Sequence, residues 1–145
     1  MISKVCNDMF DKSIQDYHLR DDVDAAIESP YPGIGIEHLL YAKNWVDAVQ
    51  WHLEDIVRNP QIDPREGLSL KRRIDASNQV RNDMVEHIDG YFFQKYDVVQ
   101  HKAMVRINTE SPAWEIERLS ILALKIYNIK VEVKLNDASA EKIIT

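Results

Sequence analysis

The chain has a single cysteine, four glycines and five prolines among 145 residues. It has no apolar stretch near the roughly 18 residues a membrane helix needs. Cys6 alone excludes an intramolecular disulfide and a thiolate metal cage. Met1 to Phe10 carries Lys4, Asn7 and Asp8 where a signal peptide would have an apolar core, so a cytoplasmic protein with no membrane partner is expected. Cations are also scarce: 18 Lys plus Arg face 24 Asp plus Glu, a net charge of −6 with five neutral histidines. That balance argues against a nucleic-acid polymer as partner, because such binders release counterions with a basic surface. A small anion held by a few local cations remains compatible with it.

What is present is ordinary for a folded soluble protein: 45% apolar and 29% charged residues. The length predicts a single domain over 1–145, enough to bury roughly 70% of its unfolded surface. Glycine and proline gather at three breaks, Pro30 to Gly35, Pro60 to Gly67, and Ser111-Pro112. Between the breaks, apolar residues recur at three and four, the helical period. The pattern predicts an all-α fold, an antiparallel bundle of about four main helices.

The first helix is expected over about 2–17, with Ile2, Val5, Met9, Ile14 and Tyr17 inward. The second runs over about 36–58 on a stripe of Leu39, Ala42, Val46, Val49, Leu53 and Ile56. Ser69 would cap the third, which reaches at least Asp89; Gly90 ends or interrupts it, and Tyr91 to Val105 stays helix-compatible. Ser111 would cap the fourth, with Pro112 in its first turn and Ile116, Leu119, Ala123, Ile126 and Val133 inward to about Leu135. Residues 136–145 read as a frayed tail.

The polar residues are less ordinary. The third helix places Arg81 in its inner stripe of Leu70, Ile74, Ser77, Val85 and Ile88, with Asp75, Asn78, Asn82, Glu86 and Asp89 alongside. On the second, Tyr41, Trp45, His52 and Asp55 share a face at three and four. The fourth sets Glu117, Arg118 and Lys125 in an apolar run. Buried unpaired charges are costly, so such groups pair, line water or hold a ligand. Pairing would set Arg81 and Arg118 against Asp55, Asp75 and Glu86. A polar pocket would use the same cations with the Asn78 amide and the His52 imidazole.

Glu86-x-x-Asp89 places two carboxylates on one helical face, a spacing suited to Mg²⁺, and Glu54 and Asp55 are the remaining metal candidates. Glu54 and Asp55 are adjacent, so they project about 100° apart and cannot chelate as a helical pair does. His52 is the candidate general base. His18, His38, His87 and His101 have no partner at ligand spacing. Trp45, Trp51 and Trp114, with Tyr41 and Tyr127, are stacking surfaces for a base or sugar if not core residues.

Three stretches together resemble a known bacterial family. They are W-H-L-E-D at Trp51 to Asp55, K-x-x-I-D-x-x-N-Q-x-R from Lys71 to Arg81, and E-R-L-S-I-L-A-L-K-I-Y from Glu117 to Tyr127. In that order they are similar to domain of unknown function 4254, over about residues 36–130. The resemblance highlights His52, Glu54, Asp55, Asp75, Asn78, Gln79, Arg81, Glu117, Arg118 and Lys125. Glu117 stands where the family usually has Asp. Family members typically run on through further helices, which implies a groove here that a second copy of the chain would cover, and hence a homo-oligomer.

The leading expectation is a binder of a small phosphorylated metabolite: a nucleotide, a nucleotide sugar or a cyclic nucleotide signal. Arg81, Arg118 and Lys125 would hold phosphate, Asp75, Asn78 and Gln79 would read polar groups, Glu117 would join the set, and Tyr41 or Trp45 would stack beside His52. The rival is a metal-dependent phosphohydrolase or transferase with Mg²⁺ on Glu54, Asp55, Glu86 and Asp89 and with His52 as base. The third reading is an assembly protein whose polar stripes are paired charges at an interface.

Overall fold

The structure is a computed structural model and describes residues 2–96 and 111–144. Every regular element among them is helical: α1 (Ile2–Arg20), α2 (Ile36–Val57), α3 (Pro64–Tyr96) and α4 (Pro112–Ile144). None is long and apolar enough to cross a membrane.

Local chemistry explains the boundaries. Asp21 ends α1 in the left-handed region, φ 50°, where its amide reaches back to the Tyr17 carbonyl at 2.7 Å. Aspartate is among the few non-glycine residues that enter that region readily. The third helix begins five residues before the expected Ser69. Asp63 is its cap, accepting the Glu66 amide at 3.2 Å, and Pro64 takes the first turn, where no donor is lost. The helix then runs through Gly90 without a break to Tyr96, and the stretch beyond it to Val105 lies outside the described residues. At the start of α4 the Ser111 hydroxyl finds no partner among the described residues. Asp89 of α3 instead accepts the Ala113 amide at 3.3 Å. α4 also continues to Ile144, so residues 136–144 are helix and not a frayed end.

Helix α2 touches all three other helices. It is therefore buried nearly all round, and its inward set is wider than the expected stripe. Leu40, Tyr41, Ala42, Trp45, Ala48 and Leu53 are buried, but so are Lys43, Asn44, Asp47 and Gln50, while Ile56 is exposed. One apolar cluster joins Cys6, Phe10, Leu40, Val85, Ile88, Phe92, Ala113 and Ile116. Burial pushes the Cys6 thiol pKa up, which keeps the sulfur protonated and inert. A second cluster joins Ile14, Tyr17, Tyr41, Trp45, Ala48 and Leu124. On α1 the buried face is Cys6, Phe10, Ser13, Ile14 and Tyr17, with Ile2 outside it. On α4, Ile126 and Val133, expected inward, are exposed.

Residue numbers rise together along α1 and α2, from Ser13 on the Tyr41 carbonyl to His18 beside His52. They also rise together along α2 and α4, from Lys43–Glu117 to Asp47–Ser120. They fall along α3 as they rise along α2, from Asp47–Arg81 to Gln50–Asn78. A uniformly antiparallel order does not follow from these pairs. At about 3.3 Å per residue, residues 21–35 are long enough to carry the chain back along α1 before α2 starts.

Leu53→Ala, at a fully buried position, is expected to cost about 2–5 kcal/mol. Leu68→Ala, at an exposed position, should stay within about 0.5 kcal/mol. Urea unfolding of the two variants checks this, and equal losses would mean that α2 is not the buried helix.

Candidate functional site

The α2 face turned toward α3 and α4 is polar: Lys43, Asp47, Gln50 and Glu54 follow one another at four, three and four. Lys43 and Asp47 are fully buried, and the Lys43 ammonium donates to both Asp47 oxygens, at 2.8 and 2.7 Å. Arg81 reaches in from α3, with Nε on Asp47 Oδ1 at 2.7 Å and Nη2 on Glu117 Oε1 at 3.1 Å. Glu117 also lies 3.6 Å from Lys43 Nζ. The Ser120 hydroxyl donates to Asp47 Oδ2 at 2.6 Å and accepts from Asn44 Nδ2 at 2.9 Å. Toward the end of α2, Gln50 donates to Asn78 at 2.8 Å and accepts from Ser77 at 3.0 Å. Two cations and two carboxylates thus balance, and Asp47 sits at the centre, accepting four hydrogen bonds.

This network borders a groove between α3 and α4. Its volume is about 600 Å³, and Arg81, Trp114, Glu117, Arg118, Ile121, Leu122 and Lys125 line it. Three cations and one carboxylate face an apolar wall there, within a chain that is acidic overall. Arg81 joins the two features: one side is fixed by Asp47 and Glu117, and the other borders the groove.

A match to a known family covers the same residues. Residues 37–145, about three quarters of the chain, match the family described as "Protein of unknown function (DUF4254)". The chain belongs to that family. No curated protein matches, and neither does any solved structure. The DUF4254 match continues past about residue 130, where the expected resemblance ends, to the last residue. It contains every member of the charge network and every residue lining the groove, whereas α1 lies outside it.

Other candidates lie elsewhere. Tyr41 and Trp45 are buried against Tyr17 of α1, away from the groove lining. The Tyr41 hydroxyl donates to Asp16 at 2.8 Å; burial, and then this bond, raise its pKa. Asp75 pairs with Lys71 along α3, and Gln79 donates to Asp83 at 2.9 Å on the exposed side. Asn78 is drawn into the network by Gln50 and by Arg81 Nη1 at 3.3 Å. The proposed pairing of Arg81 with Asp55, Asp75 or Glu86 does not occur, since Arg81 takes Asp47 and Glu117 instead.

The four metal candidates do not converge. Glu54 and Asp55 lie within 3.7 and 3.6 Å of Arg58 at the end of α2. Glu86 lines a different groove with His38 and His87 near the start of α2, and Asp89 caps α4. At 1.5 Å per residue the two carboxylate pairs stand roughly 24 Å apart along α2. Among the described residues no three His, Cys, Asp or Glu side chains are grouped to hold a metal.

His52 has a partner that spacing did not reveal. Its Nε2 lies 3.1 Å from Nε2 of His18, whose Nδ1 is 2.7 Å from the Ile14 carbonyl. A carbonyl only accepts, so with both rings neutral the His18 proton is on Nδ1 and its Nε2 accepts from His52 Nε2–H. Tyr17 stacks on His52 and Tyr127 on His18, with ring centroids 5.2 and 4.2 Å apart. Burial, with the Asp21 and Asp22 charges nearby, pushes the Tyr17 phenol pKa up to about 12. Burial and then the charge of His18 hold the His52 pKa below 6.5.

Of the residues that sequence reasoning missed, Lys43, Asn44, Asp47 and Gln50 read as the solvated side of an amphipathic helix. Their one signal is a polar run at helical spacing that matches Ser77 to Arg81 on α3 and Glu117 to Ser120 on α4.

Asp47→Ala is expected to cost about 3–5 kcal/mol, since it leaves Lys43 buried without its main partner. Asp55→Ala, on an exposed carboxylate, should stay within about 0.5 kcal/mol, and chemical denaturation separates the two. The His52 shift makes stability depend on pH. Between its lowered folded value and 6.5 the unfolded chain binds the extra proton, so stability is full above 6.5 and falls as pH drops through that window. His52→Gln should remove that part of the slope in unfolding curves measured at several pH values; an unchanged slope would assign it to other groups.

Proposed function

We propose that this DUF4254 chain binds a small phosphorylated metabolite in the groove between α3 and α4. The observation that carries the reading is the meeting of Arg81, Arg118 and Lys125 with Trp114 around one volume of about 600 Å³. That size lies within the usual range of about 300–1,000 Å³ for small-molecule sites. Arg118 and Lys125 supply the cationic rim for phosphate, and Trp114, 46% exposed, offers a ring face to a base or sugar. Arg81 is held in place from behind, so its guanidinium meets an anion with little further ordering. Its charge is already matched by Asp47 and Glu117, which limits the attraction it adds to that of the rim. A nucleotide or nucleotide sugar combines the phosphate and the flat apolar group that this lining suits.

A second reading draws on the balance of the buried charges. Two cations set against two carboxylates need no ligand, and on that reading the network serves only to lock α2, α3 and α4 together. The hydrolase reading has less support, because Glu54 and Asp55 lie at the end of α2 while Glu86 of α3 lies beside its start.

A thermal-shift panel of nucleoside phosphates, cyclic nucleotides and nucleotide sugars tests the proposal. A ligand at about 100 times its Kd should add about 2.7 kcal/mol of stability. The Arg118→Ala, Lys125→Ala double variant changes two exposed side chains, so it should fold normally and lose that gain. No stabilisation by any member of the panel, or equal stabilisation of the variant, would leave the structural lock as the better account.

A further inference from the structure

Helix α4 presents a second stripe on the side away from the bundle. Its buried face is Ala113, Ile116, Ser120 and Leu124. On the opposite face Leu122, Ile126, Ile129 and Val133 are 50%, 46%, 59% and 52% exposed. Their spacing of four, three and four is that of a coiled-coil seam, with Ile126 and Val133 at a positions and Leu122 and Ile129 at d. A helix apolar on two sides buries both in its working state. The first half of α4 rests on the bundle, but every described side chain from Lys130 to Ser139 is exposed.

We propose that this stripe pairs with the same stripe of a second copy, the two α4 helices running antiparallel about a two-fold axis between residues 127 and 128. In that register Leu122 meets Val133 of the second copy and Ile126 meets its Ile129. Among heptad registers it is the one that sets all four apolar residues against one another.

Charge selects the direction. The g positions that flank the seam are Lys125 and Glu132, and antiparallel packing sets each Lys125 beside Glu132 of the other copy, twice per dimer. Parallel packing would set Lys125 against Lys130 and Glu132 against Asp137, like against like in both cases. The antiparallel pair also carries the exposed second half of each α4 past Trp114, Arg118 and Leu122 of the other copy. The second copy thereby becomes the outer wall of the groove. Lys125 also lines the groove, so its charge serves both readings, but the apolar stripe stands whether or not the groove takes a phosphorylated ligand.

Sedimentation and native mass spectrometry of the full chain without ligand test it. The expected result is a dimer that Ile129→Glu abolishes, with the helical circular dichroism of each chain kept because position 129 is exposed. Lys125→Glu and Glu132→Lys should each weaken dimerisation about tenfold or more, and the double variant should restore it. Under oxidation, a mixture of Leu122→Cys and Val133→Cys chains should cross-link to each other and neither to itself; Cys6 is buried and does not compete. A monomer at high micromolar concentration would overturn the proposal. So would a dimer indifferent to Ile129→Glu, or self-cross-linking of Leu122→Cys, which marks parallel packing. Were Ile129→Glu to misfold, the charge reversal and its rescue decide alone.

Discussion

The arrangement of the helices depends on one requirement: the charges buried along α2 must sum to zero and must each be hydrogen-bonded. Lys43 and Asp47 are fully enclosed, and each would be prohibitive alone. Asp47 tolerates its position because Lys43, Arg81 and Ser120 all donate to it. Those donors sit on three different helices. A rotation of α3 by one residue would turn Arg81 away by about 100° and strand a carboxylate. Apolar clusters tolerate small shifts more readily, since a methyl group has no direction. The polar cluster therefore fixes the register within which the apolar ones fill space.

The same requirement shapes what the groove can be. Arg81 is rigid because it is already paired, and a rigid guanidinium is a better wall for a binding site than a mobile one. Its pairing also limits how much positive potential it adds. In the DUF4254 chain Arg118 and Lys125, on the turns of α4 that follow Glu117, line the same groove.

Much of this was legible without coordinates, for identifiable reasons. Arg81 puts a charge into a mostly apolar stripe, and an interruption of that kind is visible in any one helix. Its partners were not, because Lys43 and Asp47 lie on a face that looks solvated until α2 is known to touch three helices. Period failed on α4 for the opposite reason: apolar residues occur on all its sides, so spacing could not tell that Leu124 faces in and Ile126 faces out. The α3 boundary was misplaced because Ser69 resembled a cap, while Asp63-Pro64-x-Glu66 carried the stronger capping chemistry. The pairing of His18 with His52 joins residues 34 apart in sequence, and no local pattern reports such a contact.

A balanced buried cluster also has an evolutionary consequence. Replacing Lys43, Asp47, Arg81 or Glu117 singly leaves an odd charge in the interior, and each one-step path to a different set crosses that barrier. The four can drift only together, or by exchanges that keep sign and reach. A lineage that once acquired the cluster is held to it even where an all-apolar interior would be as stable. The cluster acts as a ratchet on descent, and the groove beside it inherits a fixed wall against which its outer residues are free to diversify.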